Sequence, residues 1–350
     1  MEDTAPVAIV TGASTGIGYR TARALVLKGY CVVIATRTPQ AGREAAENLN
    51  IEAARSASAP RAGFLDGASA HQGSALYLPL DVSLLASVRA FAEALPSSLR
   101  SRLHVLVLNA GISGWGVPRD KRTTVDELEA TFANNFVGHF YLVQLLLDAL
   151  RETAARQAYP GAPPVRVVTL ASVTHRLVPA AAPNWSAVLA GGGRGGAQYA
   201  YSKLAALLLA ARLQRELRGT GVAAVAVNPG AVASDIWRHV SPRTACWFRP
   251  LMRAFFLTPE QGCATSVAAA TAAEVGGVRL DAPGALVYLS PYAAPAWAQR
   301  WGGWAALAFD TLGPFRGAQV VRPTALAGDE RAADALWAAC EAAVARKQSL

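Results

Sequence analysis

Short apolar runs alternate with stretches of helical spacing along this chain. Residues 6–11 form an apolar run that reads as a strand, followed by a glycine-rich turn and a helix over 16–29. The Val- and Ile-rich run 30–36 predicts a second strand, and 41–54 a second helix. Residues 75–82 read as the third strand, 84–95 as a helix and 103–109 as the fourth strand. Over 124–151, Phe132, Phe136, Phe140 and Val143 recur at helical spacing, which predicts one long helix. A fifth strand over 165–171, a helix over 198–218 and a sixth strand over 222–228 follow. A helix over 259–271 and a seventh strand over 284–289 complete the pattern. Continuous apolar strands separated by helices predict a parallel sheet covered on both faces. The expected fold is therefore α/β: one doubly wound domain of about seven strands, with its core over about 6–290. A stretch rich in Ala, Ser and Gly over about 56–73 reads as a surface insertion, and 291–350 as a C-terminal extension.

Composition narrows the class. With 350 residues, 52% hydrophobic and 16% charged, the chain can bury a large core and is not expected to be disordered. The longest uncharged stretch, 282–299, is broken by Pro283, Pro291 and Pro295, which argues against a polytopic membrane protein. Cys31, Cys246, Cys263 and Cys340 are scattered without a CxxC pair. They read as small buried hydrophobes in a reducing compartment, and no metal site is expected. The acidic start Met-Glu-Asp-Thr runs into the first strand with no signal or transit segment, so a cytoplasmic location is expected.

The net charge is +9, yet only four of the 33 basic residues are Lys: Lys28, Lys121, Lys203 and Lys347. Enrichment in Arg, Ala and Gly together is what a GC-rich genome produces. Basicity also suits an anionic ligand, a nucleic acid or an acidic membrane. No dense basic run marks a nucleic-acid surface, so none is expected as a partner.

The first turn carries chemistry. It reads Thr11-Gly12-Ala13-Ser14-Thr15-Gly16-Ile17-Gly18 between a strand and a helix. Glycines let backbone approach a pyrophosphate, and a helix N-terminus presents free N–H groups and the positive end of its dipole. The spacing is Gly-x3-Gly-x-Gly rather than Gly-x-Gly-x-x-Gly. The second strand ends Ala35-Thr36-Arg37, without the acid that would bind a ribose 2′-hydroxyl. Arg37 suits a 2′-phosphate, which favours NADP(H) over NAD(H); the alternative is a solvated surface Arg.

A second constellation lies on the helix over 198–218. Tyr199 and Lys203 are four apart and share one helix face. An ammonium beside a phenol lowers the phenol's pKa and makes it a usable proton donor and acceptor. Tyr201 has no such spacing to a Lys and reads as a packing or substrate contact.

Together these motifs resemble the short-chain dehydrogenase/reductase family, over about residues 6–290. The Thr36-Arg37 pair, Ser202-Lys203-Leu204 and the terminal Ala335-Leu336-Trp337 are similar to its retinol-dehydrogenase-like and WW-domain-oxidoreductase-like branch. Protochlorophyllide reductases are a weaker match. The resemblance implies a Rossmann fold and a cofactor cradle of Gly12, Ser14, Thr15, Gly16, Ile17 and Gly18. It adds Asp81 and Val82 near the adenine and Asn109-Ala110-Gly111 after the fourth strand. Pro229, Gly230 and Val232 match the turn that closes over the nicotinamide. It implies Tyr199 as general acid/base, Lys203 as its partner on the nicotinamide ribose and Ser172 at the substrate oxygen. Asn135 would anchor a water relaying protons to Lys203, with neighbouring Asn134 as the competing candidate.

The implied activity interconverts a carbonyl and an alcohol. Ile236, Trp237, Trp247, Phe248, Leu251, Met252, Phe255 and Phe256 suit either a lid over a lipophilic substrate or plain helix packing. Trp297, Trp301 and Trp304 form one stripe, which suits core, a pocket wall or peripheral membrane contact. His139 and His175 lie near motif positions but are not paired as metal ligands, and read as structural. A protochlorophyllide-reductase-like enzyme and a cofactor-binding regulatory protein without turnover are the alternatives.

Overall fold

The computed structural model describes residues 5–58, 72–114, 121–156, 162–192, 196–234, 236, 256–281, 286–292 and 315–348. The central strands are β1 (Val7–Thr11), β2 (Cys31–Thr36), β3 (Ser74–Pro79) and β4 (Leu103–Leu108). They continue with β5 (Val165–Leu170), β6 (Val222–Val227), β7 (Val287–Ser290) and β8 (Gln319–Val320). The sheet order is β8-β7-β6-β5-β4-β1-β2-β3. Every pairing is parallel except β8 with β7, which is antiparallel.

The main helices are α1 (Gly16–Leu27), α2 (Pro39–Ser58), α3 (Leu85–Ala94) and α4, which joins Ala130–Phe132, a π turn Ala133–Val137 and Gly138–Arg156. After them come α5 (Gly196–Glu216), α6 (Pro259–Thr271) and α7 (Glu330–Gln348). β1, β2, β4, β5, β6 and β7 are buried along their whole length, as strands with helices on both faces must be. Alternation along β1 shows the two layers. Val7 and Ile9 join the core of α3, α4, α5 and α7, whereas Ala8 and Val10 join that of α1, α2 and α6. The order reverses beside β1, which pairs with both β2 and β4. A crevice at the carboxyl ends of strands at such a switch point is where this architecture binds ligands.

Four expectations change. The sheet has eight strands rather than about seven, because the segment after residue 314 returns as β8 along the edge of β7. The long helix starts at Ala130, not at 124. A tight loop precedes it: Thr123 bridges Glu129, the Thr124 N–H donates to Leu128 O, and Glu127 has a left-handed φ of 57°. The Glu129 side chain then caps the helix by accepting from Phe132 N at 2.7 Å. The third strand ends at Pro79, because Asp81 turns the chain by accepting from the Ser83 N–H and hydroxyl. Helix α2 extends to Ser58 into the expected insertion, and 59–71 lie outside the described residues. The stripe Trp297, Trp301 and Trp304 and the aromatic run from Trp237 to Phe255 also lie outside them.

Candidate active site

The glycine turn begins where β1 ends. Gly12 and Gly16 have φ of 64° and 57°, a conformation L side chains rarely adopt. Thr15, at the start of α1, makes no side-chain cap, and the first turn of α1 has no acid. Those N–H groups suit an anionic ligand. Gly18 faces the turn so closely that a Cβ would stand 2.4 Å from Asn109 Nδ2 and from Gly12 O. Asn109 is the fastener between β4 and the turn: its Nδ2 donates to Thr11 O at 2.8 Å. In return the Thr11 hydroxyl oxygen accepts from the N–H groups of Asn109 and Ala110, both at 2.9 Å.

One continuous cleft collects most of the sequence-derived residues. Gly12, Ser14, Thr15, Gly16, Ile17 and Gly18 line it, as do Asp81, Val82, Asn109, Ala110 and Gly111. Arg37, Tyr199, Lys203 and Pro229 line the same cleft. The end of β2 contributes Ala35, Thr36, Arg37 and Thr38, with no carboxylate, and Arg37 is exposed. A glycine turn over an open helix N-terminus, continuous with this wall, fits a dinucleotide. Gly230 and Val232 stand apart from the lining. Gly230 packs under Leu257, Pro291 and Tyr292, and Val232 bridges Leu257 and abuts Gly262 of α6. They shape the turn around Pro229 from behind. Thr38, Asn134, Ser234 and Ile236 line the cleft too; only Asn134 and Ile236 were flagged by sequence.

Tyr199 and Lys203 sit in the first two turns of α5. The Lys203 Nζ stands 5.4 Å from the centroid of the Tyr199 ring and donates to Leu170 O at 2.8 Å. Burial lowers the Lys203 pKa to about 8. Sequence led to the expectation that Lys203 draws the phenol down. In the structure burial dominates and pushes Tyr199 up to about 12. What opposes burial is the hydrogen bond from Ser172 at the end of β5. The physical reason is placement: the ammonium lies over the ring face and donates a hydrogen bond to the Leu170 carbonyl.

Asn135 lies in the π turn and is buried behind the cleft wall. Its amide clamps Ile112 in both directions, accepting from Ile112 N at 2.7 Å and donating to Ile112 O at 2.9 Å. It also donates to the Ser202 hydroxyl at 3.0 Å. A Cβ on Gly111 would be 3.0 Å from Asn135 Oδ1 and 3.9 Å from Lys203 Nζ, so the three meet there. Asn134, by contrast, donates to Ala130 O one turn back and faces the cleft. Asn135 therefore ties α4 to α5 and to the loop after β4.

Two histidines have roles the sequence did not reveal. His139 Nδ1 pairs with Asn135 O at 3.1 Å, and a carbonyl only accepts, so Nδ1 carries the proton. Nε2 is then the acceptor for the Thr11 hydroxyl at 2.9 Å. His175 Nδ1 likewise donates to Ser172 O at 2.6 Å. Burial pushes both imidazoles down to about 4, so both are neutral at pH 7. The usable signal was spacing alone: His139 follows Asn135 by four residues and His175 follows Ser172 by three. Among the described residues no cluster of His, Cys, Asp and Glu could hold a metal, and no helix is long and apolar enough to cross a membrane.

The short chain dehydrogenase family profile matches residues 6–65 and 54–187. Polyprenol dehydrogenase of Mus musculus is 38% identical over 280 residues, 78% of this chain and 73% of that protein. Retinol dehydrogenase 12 of Mus musculus is 36% identical, covering 77% of this chain and 74% of that protein. The WW domain-containing oxidoreductase of Gallus gallus is 35% identical over 78% of this chain but only 59% of its own length. Among solved structures, the Pseudomonas aeruginosa RhlG/NADP active-site complex superposes with a TM-score of 0.56 at 26% identity, covering 78% of this chain and 92% of that one. The chain belongs to the short-chain dehydrogenase/reductase family, in its retinol-dehydrogenase-like branch. It is an oxidoreductase acting on CH–OH groups and their carbonyls, on a Rossmann fold that binds NAD(P)(H).

Proposed function

We propose that this enzyme uses NADP(H) to interconvert a lipophilic aldehyde or ketone and its alcohol, with Tyr199 as the proton donor and acceptor. The observation that carries the reading is that Tyr199 and Lys203 line the cleft that starts at the glycine turn, with the Ser172 side chain hydrogen-bonded to Tyr199. When bound, the dinucleotide supplies or accepts the hydride at the reacting carbon. Tyr199 keeps its proton at neutral pH and so is ready to deliver it to a carbonyl oxygen that becomes an alcohol. Ser172 donates its single hydroxyl hydrogen bond to Tyr199 until substrate binds, and turns it to the substrate oxygen as negative charge develops there. Lys203, buried and hydrogen-bonded to Leu170, sets a positive charge against the ring and the ribose site. Asn135 keeps the loop at Gly111–Ile112 and the helix carrying Tyr199 in fixed relation.

Arg37 supports the phosphorylated cofactor, because the wall at the end of β2 offers a guanidinium and no carboxylate. The lipophilic class rests on relatives named for retinol and polyprenol and on the aromatic residues from Ile236 to Phe256. A panel of retinal, polyprenal, steroid ketone and short hydrophilic aldehydes, read by oxidation of NADPH and of NADH, tests it. Preference for NADPH and for the long apolar carbonyls is the expected result. Turnover confined to hydrophilic carbonyls, or faster turnover with NADH, overturns the corresponding half of the reading.

A further inference from the structure

His175 lies in the short 3-10 turn Val173–Leu177 that follows Ser172. Its ring is fully buried and stands edge-on to Tyr288 of β7, with centroids 5.5 Å apart. Nδ1–H donates to the Ser172 carbonyl at 2.6 Å, which leaves Nε2 to accept. The donor it meets is the N–H of Thr324, 149 residues away, at 3.3 Å. The same two stretches are joined again one residue on, where Arg176 donates to Arg322 O at 2.8 Å. Thr324 stands at the entry to α7, just past β8.

α7 in turn grips α5, the helix of Tyr199 and Lys203. Arg215 pairs with Glu330 at 3.0 Å and with Asp334, and Arg212 pairs with Asp334 at 3.1 Å. Trp337 lies 5.1 Å beneath the Arg212 guanidinium and edge-on to Phe140 of α4.

We infer that His175 is a positioning residue: its imidazole fixes the backbone of Ser172 to the C-terminal segment, so that the segment holding α5 also holds the serine. An imidazole bridging a carbonyl and an N–H needs one donor and one acceptor nitrogen, and only the neutral Nδ1–H tautomer offers them in this order. Small displacements of a group at a reacting oxygen lower turnover without weakening cofactor binding elsewhere in the cleft. The inference rests on the reading of Ser172 given above, and the experiment separates the two.

His175→Phe keeps an aromatic ring against Tyr288 and removes both hydrogen bonds. His175→Asn restores an amide N–H at the position of Nδ1. With NADPH and retinal or decanal as probes, His175→Phe should lower kcat about tenfold or more and leave the NADPH Kd within about twofold. His175→Asn should recover a large part of the lost kcat. Imidazole 15N shifts of the wild-type protein at pH 6 should show a neutral ring protonated at Nδ1. Wild-type kcat in His175→Phe overturns the inference, as does parallel loss of NADPH binding or an Nε2-protonated ring. If His175→Phe does not fold, His175→Asn and the 15N shifts decide it. If Ser172→Ala retains full turnover, the reading of Ser172 fails instead, and the tautomer alone judges the bridge.

Discussion

Lys203 stands over the face of the Tyr199 ring, 5.4 Å from its centroid, and donates a hydrogen bond to the Leu170 carbonyl at 2.8 Å. Tyr199 is therefore paired at its hydroxyl with Ser172, and its ring with Lys203. Replacing Tyr199 by Phe keeps the ring under the ammonium and removes only the transferable proton. Turnover should fall about 10²–10⁴-fold, the usual weight of a general acid/base. NADPH binding, followed by nucleotide fluorescence, should change little. Full activity in Tyr199→Phe would show that another group moves the proton.

Arg37 closes the wall at the end of β2 and is exposed, so its removal should leave the fold intact. A charge-assisted hydrogen bond to a phosphate is worth about 1.5–3 kcal/mol. Arg37→Ala should thus weaken NADPH about 10–100-fold and leave NADH nearly unchanged, by titration of each nucleotide. Equal weakening of both nucleotides sinks the assignment to a 2′-phosphate.

Gly16 and Gly18 should respond differently to alanine. At Gly16 a Cβ would meet only Ser234 Cβ at 3.6 Å, so the added methyl fits and the φ of 57° is the main obstacle, worth about 1 kcal/mol. At Gly18 it would collide with Gly12 O and Asn109 Nδ2 at 2.4 Å, pushing apart the turn and the fastener from β4. Thermal melts should show a mild defect for Gly16→Ala and a severe one for Gly18→Ala, while NADPH titrations should show weaker binding for both. The reverse order would mean that the turn is not held as seen.

His139 and His175 make stability depend on pH. Both titrate near 6.5 when unfolded and near 4 when folded. The unfolded chain binds their protons first, so the contribution is fully present above about pH 6.5 and is lost as pH falls towards 4. The shift corresponds to about 3 kcal/mol per histidine. Denaturant midpoints measured between pH 7 and pH 4.5 should fall, and His175→Asn should flatten the slope. A flat wild-type profile across that interval refutes neutral buried rings.

Much of this protein could be read from local pattern. The largely apolar runs of β1, β2, β4, β5 and β6 announced a parallel sheet, because a strand covered on both faces has no solvent-facing side to fill with polar residues. The glycine turn, and Tyr199 with Lys203 one helical turn on, are set by spacing within single elements. With only four lysines in the chain, that pair stood out. What periodicity cannot carry is contact between distant segments. Only the folded chain decided that Ser172, not Lys203, is the group that opposes burial at the Tyr199 hydroxyl. Folding likewise turned Asn135 towards Ile112 and Ser202, and brought β8 and Thr324 back to His175. Each of these contacts joins residues far apart in sequence. Such contacts form because a close-packed core leaves each buried donor and acceptor few partners, and the three-dimensional arrangement of the elements selects them.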